Sequence, residues 1–307
     1  MASEGKGAVF EAVLSDMWIC VCGYYSLMCT ICDVKHLAWS SRRGFLLAAA
    51  GATATLAVTP LLAQVDVGQS SGLRNLVPAE ELEVAATQQY AKLLADARAQ
   101  GALAPQSYPQ LQRLRAIAGR LIPQAAQWND RARQWRWEVN LIGSKQINAF
   151  CMPGGKIAFY NGILDQLQLT DDETAMVMGH EMAPALREQA RARIAKSQGT
   201  STILSLGAQL LGLGQLGNVA ANIGTQLLTL RFSREDETDA DLVGLELAAR
   251  GGYNPQAAVS LWQKMAQAGG GAGGPGFLST HPSGPERIQH LQDNVPKVQG
   301  LYQRARG

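Results

Sequence analysis

Along this chain apolar positions recur at helical spacing in several stretches and alternate in three short ones. From Pro78 to about Gln100, the run E-E-L-E-V-A-A-T-Q-Q-Y-A-K-L-L-A-D-A-R repeats apolar residues three and four apart, and Gly101 supplies a stop. A second helix is predicted from about Tyr108 through L-Q-R-L-R-A-I-A-G-R-L-I to Pro123. Alternating runs at Trp135–Ile142, Ile147–Met152 and Lys156–Tyr160, the last two separated by P-G-G, predict a small antiparallel sheet. T-D-D-E, Thr170 to Glu173, is a capping box and opens a helix expected to run to about Ala195. Ser197 to Leu230 carries no charged residue and is interrupted by L-L-G-L-G-Q-L-G. It reads as a buried helical hairpin, with a mobile lid or a membrane-touching loop as the alternative. Phe232 to Arg250 has a Ser cap, acids in its first turn and apolar residues at helical spacing. G-Y-N-P starts a further helix, Gln256 to about Ala268, and after a glycine-rich loop a short last helix is expected from about Pro285. The fold class is α+β, mainly helical.

Composition narrows the function classes. Of 307 residues 47% are apolar, ample for a core, and a formal net charge of +2 implies no polyanionic partner. The chain shows no zinc-finger spacing, no Walker loop and no G-x-G-x-x-G, so a nucleic-acid or nucleotide role has no support.

The N-terminal fifth reads as a separate address. S-R-R-G-F-L-L, Ser41 to Leu47, precedes a short apolar stretch with Pro60 and Ala63, the pattern of a bacterial twin-arginine-like export signal. This divides the chain into an N-terminal extension and signal (1–63), a polar Gly/Ser-containing linker (64–77) and a folded domain (78–307). The alternative to cleavage is an uncleaved anchor formed by 44–63. Either way the expected location is periplasmic. Cys20, Cys22, Cys29 and Cys32, with His36 nearby, have spacings that suit a metal, but they lie upstream of the signal and would be discarded with it. Cys151 then stands alone and has no disulfide partner in the exported chain.

The chemistry begins at G-H-E-M-A-P, Gly179 to Pro184. H-E-x-x-H on a helix sets two histidines one turn apart on one metal, with the glutamate as general base. Here the second histidine position holds Pro184, which has no N–H for the carbonyl of His180 and whose ring crowds it, so a bend is expected beside the metal. Glu237, four residues before Asp241 on a later helix, suits a carboxylate ligand backed by an acid that orients a ligand histidine. Five stretches carry a resemblance: N-A-F-C-M-P-G-G-K-I, T-D-D-E-T-A-M-V-M-G-H-E, S-R-E-D-E-T-D-A-D, G-Y-N-P and L-S-T-H-P. Over roughly 78–296 the chain resembles the HtpX and CAAX-prenyl-protease family of zinc metallopeptidases, gluzincins, especially their bacterial periplasmic branch.

The resemblance implies a zincin-like domain holding one zinc ion. His180 matches the first ligand, Glu181 the general base, Glu237 the carboxylate ligand and Asp241 the acid behind the histidine. An extended polypeptide substrate would lie along an edge strand at Asn148, Ala149 and Phe150. A peripheral membrane contact through 197–230 is compatible with this reading. Position 184 departs from the family pattern, as does Gln189, where the family often has another histidine. Three readings follow: a pseudoenzyme, an enzyme in which His281 of S-T-H-P substitutes as ligand, or an isolated change in an otherwise intact enzyme. A structural cap before Pro282 is the competing role for His281. The expected activity is a zinc endopeptidase on periplasmic or envelope proteins, impaired by loss of one ligand, with weak or absent zinc. The alternative is an inactive peptide-binding or chaperone-like protein using the same groove.

Overall fold

The computed structural model describes the chain from Val65 onward, apart from residues 197–226, 228–229, 231, 270–276, 278–280 and 282–284. The signal, the upstream cysteines and most of the uncharged 197–230 stretch lie outside the described residues. Helix α1 spans Ala79–Ala99, and α2 spans Pro109–Leu121 with its proline at the first turn, where no intrahelical donor is needed. Strands β1 (Glu138–Ile142), β2 (Ala149–Met152) and β3 (Lys156–Tyr160) follow, then α3 (Asn161–Leu167) and α4 (Asp171–Leu186). The chain ends with α5 (Arg234–Arg250), α6 (Ala257–Gly269) and α7 (Pro285–Arg306). This is the mainly helical α+β architecture expected. The last helix is not short: it covers 22 residues and carries Pro296 within it.

The sheet differs from the expected antiparallel one. Its order is β1-β3-β2, with β2 antiparallel to β3 and β1 parallel to β3. Val139 and Cys151 therefore flank Ile157 from opposite sides. Alternation reveals which face each side chain takes but not which strand lies beside which. The β2–β3 hairpin turns through Gly154 and Gly155, both at positive φ, where only glycine sits without strain. β2 is left on the outside of the sheet and packs against α4. The Tyr90 hydroxyl of α1 donates to the Ile157 carbonyl and accepts from Asn140, fixing α1 across the sheet.

Helix α4 is buried from Glu173 to Leu186. Its capping box forms as predicted, Glu173 Oε2 accepting from the Thr170 amide and the Thr170 hydroxyl accepting from the Glu173 amide. The helix then stops at Leu186 instead of running to Ala195. Arg187 and Glu188 form a turn, with Glu188 at φ 55, and helical backbone resumes over 189–196. The missing donor at Pro184 removes a rung from the last turn, so the ladder ends just beyond it.

The stretch after the expected signal is held to the body. Buried Val65 donates its N–H to Glu246 of α5 at 3.1 Å, and Glu246 also pairs with Arg250 in the core. Arg187 and Arg191 donate to the Gly68 and Val77 carbonyls.

Helices α4 and α5 meet backbone to backbone. A Cβ built on Gly244 would lie 2.6 Å from the backbone nitrogen of His180, and one on Gly179 would lie 2.8 Å from the Gly244 carbonyl oxygen. Gly244→Ala must therefore push the helices apart, and a thermal melt is expected to show a loss of about 1–3 kcal/mol. Burial pushes the Glu173 carboxyl up, but hydrogen bonds from Lys264, Thr170 and Ser260 together hold it below its ordinary 4.5. Its contribution to stability is complete above pH 4.5 and is lost as the pH falls through the depressed folded value. Glu173→Gln should therefore destabilise at neutral pH, by urea melts, with a difference that shrinks in acid.

Candidate metal centre

His180 and Glu181 are presented by α4, Glu237 and Asp241 by α5, where a spacing of four puts both acids on one face. All four are buried, as is His281. The glycine contact between the two helices brings His180 against α5, and His180 Nδ1 lies 3.0 Å from Asp241 Oδ1. That bond leaves the Nε2 side of the ring facing away from Asp241, 3.5 Å from Glu237 Oε2.

His281 arrives from the segment after the glycine-rich loop. The Phe277 amide donates to the Ile147 carbonyl at 2.7 Å, which pins that segment beside the entry to β2. The His281 amide donates to the Phe277 carbonyl, and the two rings stack with centroids 4.4 Å apart. This points the imidazole at α4 and α5. His281 Nδ1 is 3.2 Å from His180 Nε2 and 2.9 Å from Glu237 Oε1.

His180, Glu237 and His281 thus each offer a ligand atom, all within 4.8 Å of one another. Donors roughly 2.0–2.1 Å from one tetrahedral zinc lie roughly 3.3–3.4 Å from each other. With Glu237 Oε2 as the carboxylate donor, the separations of 3.2, 3.1 and 3.5 Å are close to that spacing. Glu181 Oε1 is buried with no hydrogen-bond partner among the described residues, and His281 Nε2 lies 3.6 Å from it. A two-imidazole, one-carboxylate set with an orphaned carboxylate oxygen beside it fits zinc. Pro184 lines the same cavity as Glu181 and His281 but carries no donor. Gln189 is buried after the helix break, and its amide has no partner among the described residues.

The electrostatics follow from burial and pairing. Burial lowers the His180 pKa, but hydrogen bonds to Asp241 and Glu237 outweigh it and carry the ring up to about 9. Burial would raise Glu237, yet its bonds to His180 and His281 hold it well below the usual carboxylate range. Asp241 is likewise held low, against its burial, chiefly by the Arg287 charge. Glu181 goes the other way. Burial raises it, the nearby histidines only partly oppose this, and it ends above the ordinary glutamate value.

Arg287 is a site residue that the sequence reading missed. Its guanidinium forks onto both Asp241 oxygens, reaches Glu237 Oε2 at 3.1 Å and lies over the Trp262 ring, 3.4 Å from the centroid. A signal was present: an arginine in the first turn of a helix, where the macrodipole favours acids, asks for a buried acid nearby. Asn148, Ala149 and Phe150 line the cavity beside Glu181, at the outer strand. Cys151 lines it too, as a half-buried thiol whose ionisation is opposed by burial and by the Glu181 charge. No helix among the described residues is long and apolar enough to cross a membrane.

Comparison with known proteins places the chain in a family. The model of Peptidase family M48 matches residues 109–295, more than half of the chain. The mitochondrial metalloendopeptidase OMA1 of Schizosaccharomyces pombe is 38% identical over 166 residues, 53% of this chain and 48% of that protein. OMA1 of Arabidopsis thaliana is 38% identical over 160 residues, 52% of this chain and 32% of the relative. The metalloprotease LoiP of Escherichia coli is 30% identical over 154 residues, 50% of this chain and 60% of the relative. The chain spans less than two thirds of the length of each of these three.

Asp241→Asn leaves His180 without its charged anchor. Zinc affinity, read by competition with a chromogenic chelator, is expected to fall about 10–100-fold.

Proposed function

Because the chain belongs to peptidase family M48, whose members are zinc metallopeptidases, we infer that it is a zinc-dependent endopeptidase in which His281 stands in for the donor missing at position 184. The observation that carries this is the buried His180, Glu237 and His281 set, spaced for one ion, with Glu181 Oε1 beside it and without a hydrogen bond among the described residues.

In this reading His180, Glu237 and His281 hold the zinc, and Asp241 orients His180. When bound, the zinc polarises the scissile carbonyl and makes water a better nucleophile near neutral pH. The chain's own residues do the rest. Glu181 accepts a proton from the attacking water at Oε1 and passes it to the leaving amine. Its burial favours that exchange, because a raised carboxyl pKa lies closer to the working pH. Arg287 neutralises Asp241 and Glu237 and keeps them at their stations. The polypeptide lies extended along β2, whose outer edge borders the cavity.

The HtpX-like branch, an exported location and envelope-protein substrates belong to the same proposal. They rest on the twin-arginine segment at 41–47 and on the motifs quoted above. Contact of the uncharged 197–230 stretch with a membrane surface, and tethering through 44–63, extend it. One observation favours a second reading, a peptide-binding protein without turnover: the helix that carries His180 and Glu181 is interrupted just after Pro184.

Elemental analysis of the purified chain should find one zinc, and casein cleavage should be abolished by a chelator. His281→Gln should lose both zinc and cleavage, and Pro184→His added to it should restore zinc. Glu181→Gln should keep zinc while turnover drops about 10²–10⁴-fold. Absence of zinc in the unaltered chain, with cleavage appearing only in Pro184→His, would establish the second reading instead.

A further inference from the structure

A cavity of about 200 Å³ opens beside Glu181, between the outer strand and α4. Its walls come from separate parts of the chain: Leu93 of α1, Phe150 of β2, Tyr160 of β3, Pro184 of α4, and Leu230 and Phe232 before α5. Apart from Pro184, which is buried, these side chains are half-buried, apolar or aromatic, and directed at common space. Among the described residues, the carboxylate and imidazole groups of the lining are those of Glu181 and His281, both at the reacting end.

Three arguments converge on one occupant. A volume of about 200 Å³ is below the 300 Å³ or so at which pockets begin to enclose a whole small molecule, so it suits a single side chain. A charged side chain there would be desolvated with no counter-charge except the groups needed for the reaction, which is costly. The cavity is continuous with β2, along which Ala149–Met152 form part of the wall. A peptide laid on that strand turns alternate side chains toward the cavity.

The geometry points to a subsite for one large apolar side chain, Leu, Met or Phe, next to the scissile bond, so that cleavage falls beside such residues in exposed apolar segments of polypeptide. This rests on the endopeptidase reading, and Pro184 has a place in it. The residue that removes a metal donor supplies an apolar wall to the cavity.

The test uses the full chain carrying Glu181→Gln, to stop turnover. Fluorescein-labelled peptides of one Gly/Ser-rich host sequence, differing only at a central Leu, Phe, Ala, Asp or Lys, are titrated by fluorescence polarisation. Leu and Phe peptides should bind about tenfold or more tighter than Ala, with Asp and Lys weakest. Leu93→Trp, which fills the cavity, should move the preference toward Ala, and Leu93→Asp should move it toward Lys. Circular dichroism melts check that both variants are folded. Should one not fold, the peptide ranking with the parent chain decides alone. Equal binding of all five peptides, or binding of none, overturns the subsite. Zinc content and casein cleavage are measured separately on the unaltered chain. Their failure with the ranking intact sinks the endopeptidase reading and leaves only an apolar peptide-binding pocket with no scissile bond beside it, whereas cleavage without a ranking overturns the subsite and leaves the endopeptidase reading.

Discussion

The site depends on two helices touching through their backbones. Gly179 and Gly244 have no side chains to hold α4 and α5 apart, and a Cβ on either would fall within 3.0 Å of the other helix. The contact lies one residue before His180 and three after Asp241. It is this closeness that lets a short aspartate on one helix bond an imidazole on the other at 3.0 Å. A wider spacing would break that bond and leave buried charges uncompensated, an outcome that costs several kcal/mol.

Burying so many ionisable groups requires that each find an opposite charge. Glu181, Glu237 and Asp241 gather in one place with His180, His281 and Arg287. Arg287 suits its task because a planar guanidinium can fork onto Asp241, reach Glu237 and still stack on Trp262. Glu181 is the member least well served, with one buried oxygen lacking a hydrogen bond among the described residues and a carboxyl pushed up by burial. Poor satisfaction of a carboxylate is a cost for folding and a use for proton transfer.

Pro184 acts locally and at a distance from its own side chain. It ends α4 two residues on, where Glu188 takes a left-handed backbone that resets the direction of the chain. It also leaves the nitrogen side of His180 without a partner one turn along the same helix. The space is met by His281, more than a hundred residues away in sequence, held by Phe277 against the chain leading into β2.

Periodicity and caps were enough to name nearly every helix. The capping box at Thr170 and the acids in the first turn of α5 are local signals of local structure, and each stands where expected. The truncated H-E-x-x-H motif brought forward His180 and Glu181, and a spacing of four, which puts residues on one helix face, brought forward Glu237 and Asp241. The pairing of β1 with β3 and the glycine contact were out of reach. They are relations between segments far apart in the chain, and hydrophobic pattern encodes faces, not neighbours. His281 marks the boundary. The sequence presented it as a candidate, but whether its ring meets the metal face or merely caps a turn is a matter of a few ångströms. Only the tertiary placement of His281, stacked on Phe277 and within 2.9 Å of Glu237, decided that distance.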